Sequence, residues 1–156
     1  MINKVVFKKI KFNNIDPNKF KKYITKNGLF VFPAGPALAS IKKSKIYYNS
    51  LIKADFVFFD SGFFVLLLKI FKNINVYKFS GYKFLSLFFH YIKKNKKKSI
   101  FSIDPNLNFS KSNQSYFKSL GIKKVNNYLA PKYNIKNLSD RKLLELLKKT
   151  KPNFII

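Results

Sequence analysis

Thirteen consecutive residues, Phe56-Val57-Phe58-Phe59-Asp60-Ser61-Gly62-Phe63-Phe64-Val65-Leu66-Leu67-Leu68, carry one charge, and it is a carboxylate near the middle. A continuous apolar run belongs to elements buried in a core, not to an alternating surface strand. Asp60-Ser61-Gly62 punctuates it. Asp55 to Phe59 therefore reads as a buried strand, and Gly62 to Lys72 as an apolar helix. The carboxylate of Asp60 must be solvated, paired or functional, because an unpaired buried charge is strongly destabilising. At the carboxyl end of a strand and just before a helix, it stands where open α/β sheets bind ligands. It can also cap the helix that opens at Gly62.

The flanking sequence repeats this alternation of strand and helix. Val5 to Phe12 reads as a strand or hairpin, and Asp16-Pro17 as a helix start. Lys19 to Lys26 reads as a helix closed by Asn27-Gly28, in the manner of a glycine C-cap. Leu29 to Phe32 reads as a brief strand turned by Pro33-Ala34-Gly35-Pro36, and Ala37 to Ala54 as one amphipathic helix. Gly81 to Lys94 reads as a second apolar helix, with Ile74 to Phe79 before it as a short strand or an extended crossing. Further on, Asn95-Lys96-Lys97-Lys98 is a basic turn and Ser99 to Ile103 a strand leading into the loop at Asp104-Pro105-Asn106. Ser112 to Leu120 reads as a helix and Lys123 to Leu129 as a strand. Ser139 reads as the N-cap of a last helix through Leu143 to Lys149. Phe154-Ile155-Ile156 opens another buried strand. Together these predict an α/β fold with a largely parallel sheet. A single domain over 1–156 is expected, incomplete at its C-terminal end because the chain stops inside a strand.

Composition narrows the classes. A chain of 156 residues with 47% hydrophobic and 18% aromatic content has ample core-forming material. With no cysteine, disulfides and thiolate metal sites are excluded. His90, the lone histidine, reads as a helix-surface or packing residue, and no metal or cofactor is expected. The longest uncharged stretch, Asn27 to Ile41, contains Pro33, Pro36, Gly28 and Gly35. It falls short of the roughly 18–20 apolar residues of a membrane-spanning helix. Met1-Ile2-Asn3-Lys4-Val5 lacks the apolar region of a signal peptide, so a cytoplasmic location is expected. The formal charge is +26, from 32 basic and 6 acidic residues. Arg141 is the only arginine, whereas phosphate and base-edge recognition favours the arginine fork. No specific nucleic acid is expected, but the charge attracts anionic surfaces.

The order of these segments resembles the WecG/TagA/CpsF glycosyltransferases, which include bacterial N-acetylmannosaminyltransferases. The resemblance is carried by Phe32-Pro33-Ala34-Gly35-Pro36 before a helix and by Ala54-Asp55-Phe56-Val57-Phe58-Phe59-Asp60-Ser61-Gly62. It continues through Lys78-Phe79-Ser80-Gly81, Ser99 to Asp104, and Lys151-Pro152-Asn153-Phe154-Ile155-Ile156. It implies a Rossmann-like three-layer domain and an inverting, metal-independent transfer of a sugar from a UDP-sugar to a polyprenyl-diphosphate-linked acceptor. The place would be the inner face of the plasma membrane, in surface polysaccharide synthesis. It implies Asp60 as general base, with Gly35, Ser61, Gly62, Lys78, Ser80, Gly81 and Asp104 binding substrate. Phe32, Ala34 and Lys78 stand where the family has threonine, asparagine and arginine, and Ile103-Asp104 replaces a glycine pair. A homo-oligomer is left open. So are two other readings: a basic protein that binds RNA or anionic membrane, and a transferase remnant without turnover.

Overall fold

The computed structural model describes residues 3–95, 98–134 and 138–156; Lys96 and Lys97 of the basic turn lie outside the described residues. The fold is mixed α/β, with two sheets whose strands run mostly parallel. The chain divides into two compact units, Met1–Phe88 and Phe89–Ile156.

In the first unit, β1 (Asn3–Phe7) and β2 (Ile10–Asn14) form an antiparallel hairpin. Its turn residues Lys8 and Lys9 both have left-handed backbones, φ 47° and 64°, as the tightest hairpin loops require. Asp16 caps a 3-10 turn, Pro17–Lys19, by accepting from the Asn18 N–H (2.9 Å). Next come α1 (Lys21–Ile24), β3 (Phe30–Val31), α2 (Gly35–Ala39), α3 (Lys45–Lys53), β4 (Phe56–Val57) and α4 (Gly62–Lys72). The sheet order is β1-β2-β4-β3, with β4 parallel to both neighbours. Helix α5 (Gly81–Lys94) begins in this unit.

Alternate residues of a strand face opposite sides of the sheet, and here both sides meet apolar clusters. Val57 and Phe59 join Phe12, Leu38, Leu51 and Phe64. Phe58 instead packs with Phe20, Phe32 and Phe79, at ring-centroid distances of 6.2, 5.0 and 5.3 Å. The run is apolar at every position for this reason.

Two expectations change in this unit, and one left open is decided. The pattern from Ala37 to Ala54 is not one helix. Ser40 Oγ donates back to the Pro36 carbonyl (2.9 Å), and Ser44 Oγ accepts the Tyr47 N–H (3.3 Å) as the cap of α3. Such local side-chain bonds compete with helix continuation. Helix α1 stops at Ile24, ahead of Gly28. Gly28 serves a close approach instead: with φ 147°, a Cβ there would lie 2.9 Å from Asp55 Cβ. The Asp55 carboxylate accepts the Leu29 N–H (2.8 Å) at the entry to β3. Residues 74–79 form no strand; the stretch crosses in extended form and is tied by Phe79 N–H to the Phe59 carbonyl (2.8 Å).

In the second unit, β5 (Ile100–Asp104) lies between β6 (Val125–Leu129) and β7 (Phe154–Ile155), and both pairs are parallel. Helix α6 (Leu107–Ser119) starts earlier than its apolar pattern suggests, because Asn106 caps it through the Phe109 N–H (3.1 Å). Helix α7 (Arg141–Thr150) is capped by Asp140, not by Ser139: Asp140 Oδ1 accepts the Leu143 N–H (3.0 Å). A carboxylate both satisfies that N–H and complements the positive helix end. Ser99 and Asn153 clasp each other beside β5 and β7. Asn153 Oδ1 accepts from the Ser99 N–H (2.9 Å), and the Asn153 N–H donates to Ser99 Oγ (3.0 Å).

Candidate active site

Strands β3 and β4 are parallel, so the segments that leave them lie at one edge of the sheet. From β3 the chain passes to Gly35, the first residue of α2; from β4 it passes through Asp60 and Ser61 to Gly62, the first residue of α4. The two segments touch. A Cβ on Gly35 would lie 2.8 Å from Ser61 Oγ, so only glycine lets them approach this closely. Ser61 Oγ accepts the Phe64 N–H (3.2 Å) and is the cap of α4.

Asp60 is therefore not the cap of α4. Its Oδ1 accepts the N–H of Gly81 (2.9 Å), the first residue of α5. This bond spans 21 positions and draws the Lys78-Phe79-Ser80-Gly81 segment up to the end of β4. Ser80 Oγ accepts the Lys83 N–H (3.2 Å) in the first turn of α5. Gly81 lies against Phe32, whose Cβ would be 3.4 Å from a Cβ at that position. The Lys78 ammonium lies along Gly62, 3.5 Å from where a Cβ would stand.

Gly35, Asp60, Ser61, Gly62, Lys78, Ser80 and Gly81 are thus gathered at one sheet edge. Asp60 is half-buried, and among the described residues its Oδ2 has no hydrogen-bond partner. One oxygen fixes the carboxylate while the other is open, an arrangement that can accept a proton from a bound hydroxyl. The ammonium of Lys78 supplies a positive charge at the same edge.

Asp104 belongs to the second unit, where it ends β5. It is 1% exposed and accepts from Ser102 Oγ (2.6 Å), Asn113 Nδ2 (2.6 Å) and Asn127 Nδ2 (2.8 Å). Burial pushes its pKa up, but the bonds from Ser102, Asn127, Asn113 and Ser110 outweigh burial and hold it below the ordinary carboxylate range. This is the geometry of an internal hydrogen-bond centre. Sequence reasoning missed it because Asn113 and Asn127 lie on a helix face and a strand with no local signal linking them to Asp104.

A second acidic centre also went unread. Asp140 accepts from Tyr128 Oη (3.0 Å) and Tyr133 Oη (2.7 Å) as well as from the Leu143 N–H. The Leu143 N–H and the two phenols lower the Asp140 pKa, and the bond to Asp140 pushes Tyr133 up to about 12. Among the described residues no His, Cys, Asp and Glu cluster could hold a metal. An open hollow of about 520 Å³, lined by Lys123, Lys124, Lys151 and Asn153 among others, lies at the amino-terminal ends of β5 and β6, the edge opposite the one where parallel sheets bind ligands. His90 is exposed on α5. No protein-family profile, curated protein or solved structure matches this chain.

Proposed function

We propose that the protein is an inverting, metal-independent glycosyltransferase with a Rossmann-like three-layer α/β architecture. It moves an N-acetylmannosamine-like sugar from a UDP-sugar to a polyprenyl-diphosphate-linked acceptor at the inner membrane face. The observation that carries this reading is Asp60, with Oδ1 held by the Gly81 N–H (2.9 Å) and Oδ2 open at the carboxyl edge of the sheet. In the reaction, Asp60 takes the proton from the acceptor hydroxyl. The freed oxygen pair attacks the anomeric carbon as its bond to UDP breaks, and the electron pair leaves on the diphosphate. Lys78 offsets the charge that gathers there. Gly35 and Gly81 allow Ser61 and Phe32 to approach the backbone at this edge, and Gly62 allows the Lys78 ammonium to do so; Ser61 and Ser80 hold the two helix starts in place.

Asp60→Asn tests the assignment, because the amide oxygen can still accept the Gly81 N–H while the base is gone. Sugar transfer falls by about 10²–10⁴-fold, the usual share of a general base, and UDP-sugar binding persists. Undiminished transfer by Asp60→Asn overturns the role. One observation favours the remnant reading: Phe32 is packed on Phe58 with ring centroids 5.0 Å apart, so an apolar ring lines this edge. That reading is marked by UDP-sugar binding in the wild-type chain with no turnover.

A further inference from the structure

Helix α4 is apolar on both its inner and outer sides. Phe64 and Leu68 are buried. Phe63, Leu66 and Ile70, spaced i, i+3 and i+7, form a stripe that is 69%, 49% and 63% exposed, and Phe71 in the last turn is 74% exposed. At about 100° per residue the stripe points roughly 150° away from the buried pair. A helix apolar all round is normally covered, and a contiguous exposed stripe marks an interaction surface.

The charges around the stripe specify the chemistry of the cover. No acidic residue occurs from Ser61 to Ile103. Lys69 and Lys72 are exposed on the helix itself. Lys78 places its ammonium at Gly62, which shares the i, i+4 row with Leu66. The partner must therefore be apolar and anionic at once. A bilayer with anionic headgroups is both: acyl chains receive Phe63, Leu66 and Ile70, and lipid phosphates receive the lysines. RNA has the phosphates, but its bases stack on planar rings and leave Leu66 and Ile70 uncovered. No helix is long and apolar enough to cross a membrane among the described residues, so the 11-residue α4 would lie in the interface plane.

We propose that the outer face of α4 is a docking surface for an anionic lipid bilayer. It depends on exposure and charge alone and needs no catalysis by Asp60. It also sets Asp60, two positions before Gly62, at the membrane surface, where a lipid-linked acceptor presents its sugar.

The chain has no tryptophan, so Phe63→Trp installs a single reporter at the stripe. With vesicles containing phosphatidylglycerol, its emission shifts to the blue and is quenched by brominated acyl chains. Lys53→Trp, at an exposed position on α3, shows neither effect. Leu66→Gln/Ile70→Gln, with unchanged far-UV circular dichroism, binds these vesicles about 10-fold more weakly or worse, as expected for losing two buried aliphatic side chains. Vesicle binding without quenching at position 63 overturns the proposal, as does equal quenching at position 53. Displacement of bound vesicles by single-stranded RNA acting on the same reporter would replace lipid with nucleic acid as the occupant. Should the double variant not fold, the Phe63→Trp result decides alone. Asp60→Asn docks like the wild type, which separates failure of docking from failure of the transferase reading.

Discussion

Asp104 offers the sharpest test of how the second unit is held together. In Asp104→Ala, the Ser102 hydroxyl and the amides of Asn113 and Asn127 lose their acceptor in a site that is 1% exposed. A hydrogen bond to a charged group contributes about 1.5–3 kcal/mol, and a buried donor left unpaired costs about 1–3 kcal/mol. The serine hydroxyl can rotate to another acceptor, and the two asparagines are half-buried, so water can reach them in part. The net loss should be about 3–5 kcal/mol, a large share of a domain's stability. Asp104→Asn keeps one acceptor oxygen but turns an NH2 toward another donor, and should cost about 2–3 kcal/mol. The assay is hydrogen exchange of the β5 amides in increasing urea, which reports this unit directly. The carboxylate is held below its ordinary range in the fold, so its contribution is complete above the unfolded value of about 4. It is lost as pH falls through the lower folded value. The difference between wild type and Asp104→Asn should therefore shrink on acidification below pH ~4. A loss under about 1 kcal/mol in Asp104→Ala, or a difference that grows in acid, would refute the account.

Other perturbations follow from the same reasoning. Phe20 is fully buried and meets Phe58, Phe79 and Phe84 edge-on; Phe20→Ala should cost about 3–5 kcal/mol in urea unfolding of the first unit. Lys8 and Lys9 occupy left-handed backbone at φ 47° and 64°. Lys8→Asn/Lys9→Gly should raise stability by about 1 kcal/mol, seen as a higher unfolding midpoint, and no gain would mean that the turn is unstrained. Tyr133 ionises near 12 because it donates to Asp140. In Asp140→Asn, ring-carbon NMR should find it ionising closer to the ordinary tyrosine value of 10.

Helices α4 and α5 run over Gly62–Lys72 and Gly81–Lys94, as the sequence indicates. Each opens on glycine after a capping serine and carries apolar residues to its end, so local and tertiary signals agree. The segment from Ala37 to Ala54 shows the limit. Its apolar spacing suits one helix, but Ser40 and Ser44 form bonds that periodicity cannot register. The Lys8-Lys9 turn has no Asn-Gly signature to announce it, and its geometry comes from the strands it joins. The candidate site was legible as a set of residues near strand ends. The bond from Gly81 to Asp60 was not, because it depends on the extended path of residues 74–79 across the edge. Asp104 drew notice for its position after a strand, while its role depends on two asparagines brought in by folding.

The Ser99–Asn153 clasp bears on a separate problem, how a late strand finds its place. β7 must pair in parallel with a strand 54 positions earlier, and closing so long a loop is slow. Phe154, Ile155 and the following Ile156 are apolar in succession, and Ile155 is 54% exposed, so no alternation of buried apolar and exposed polar residues fixes the register. Hydrophobicity draws this strand in but cannot count. The reciprocal bonds between Asn153 and Ser99 can, since they are satisfied in one register only. Two polar side chains at the edge of the ladder thus act as an index mark, converting an indiscriminate collapse into a unique alignment.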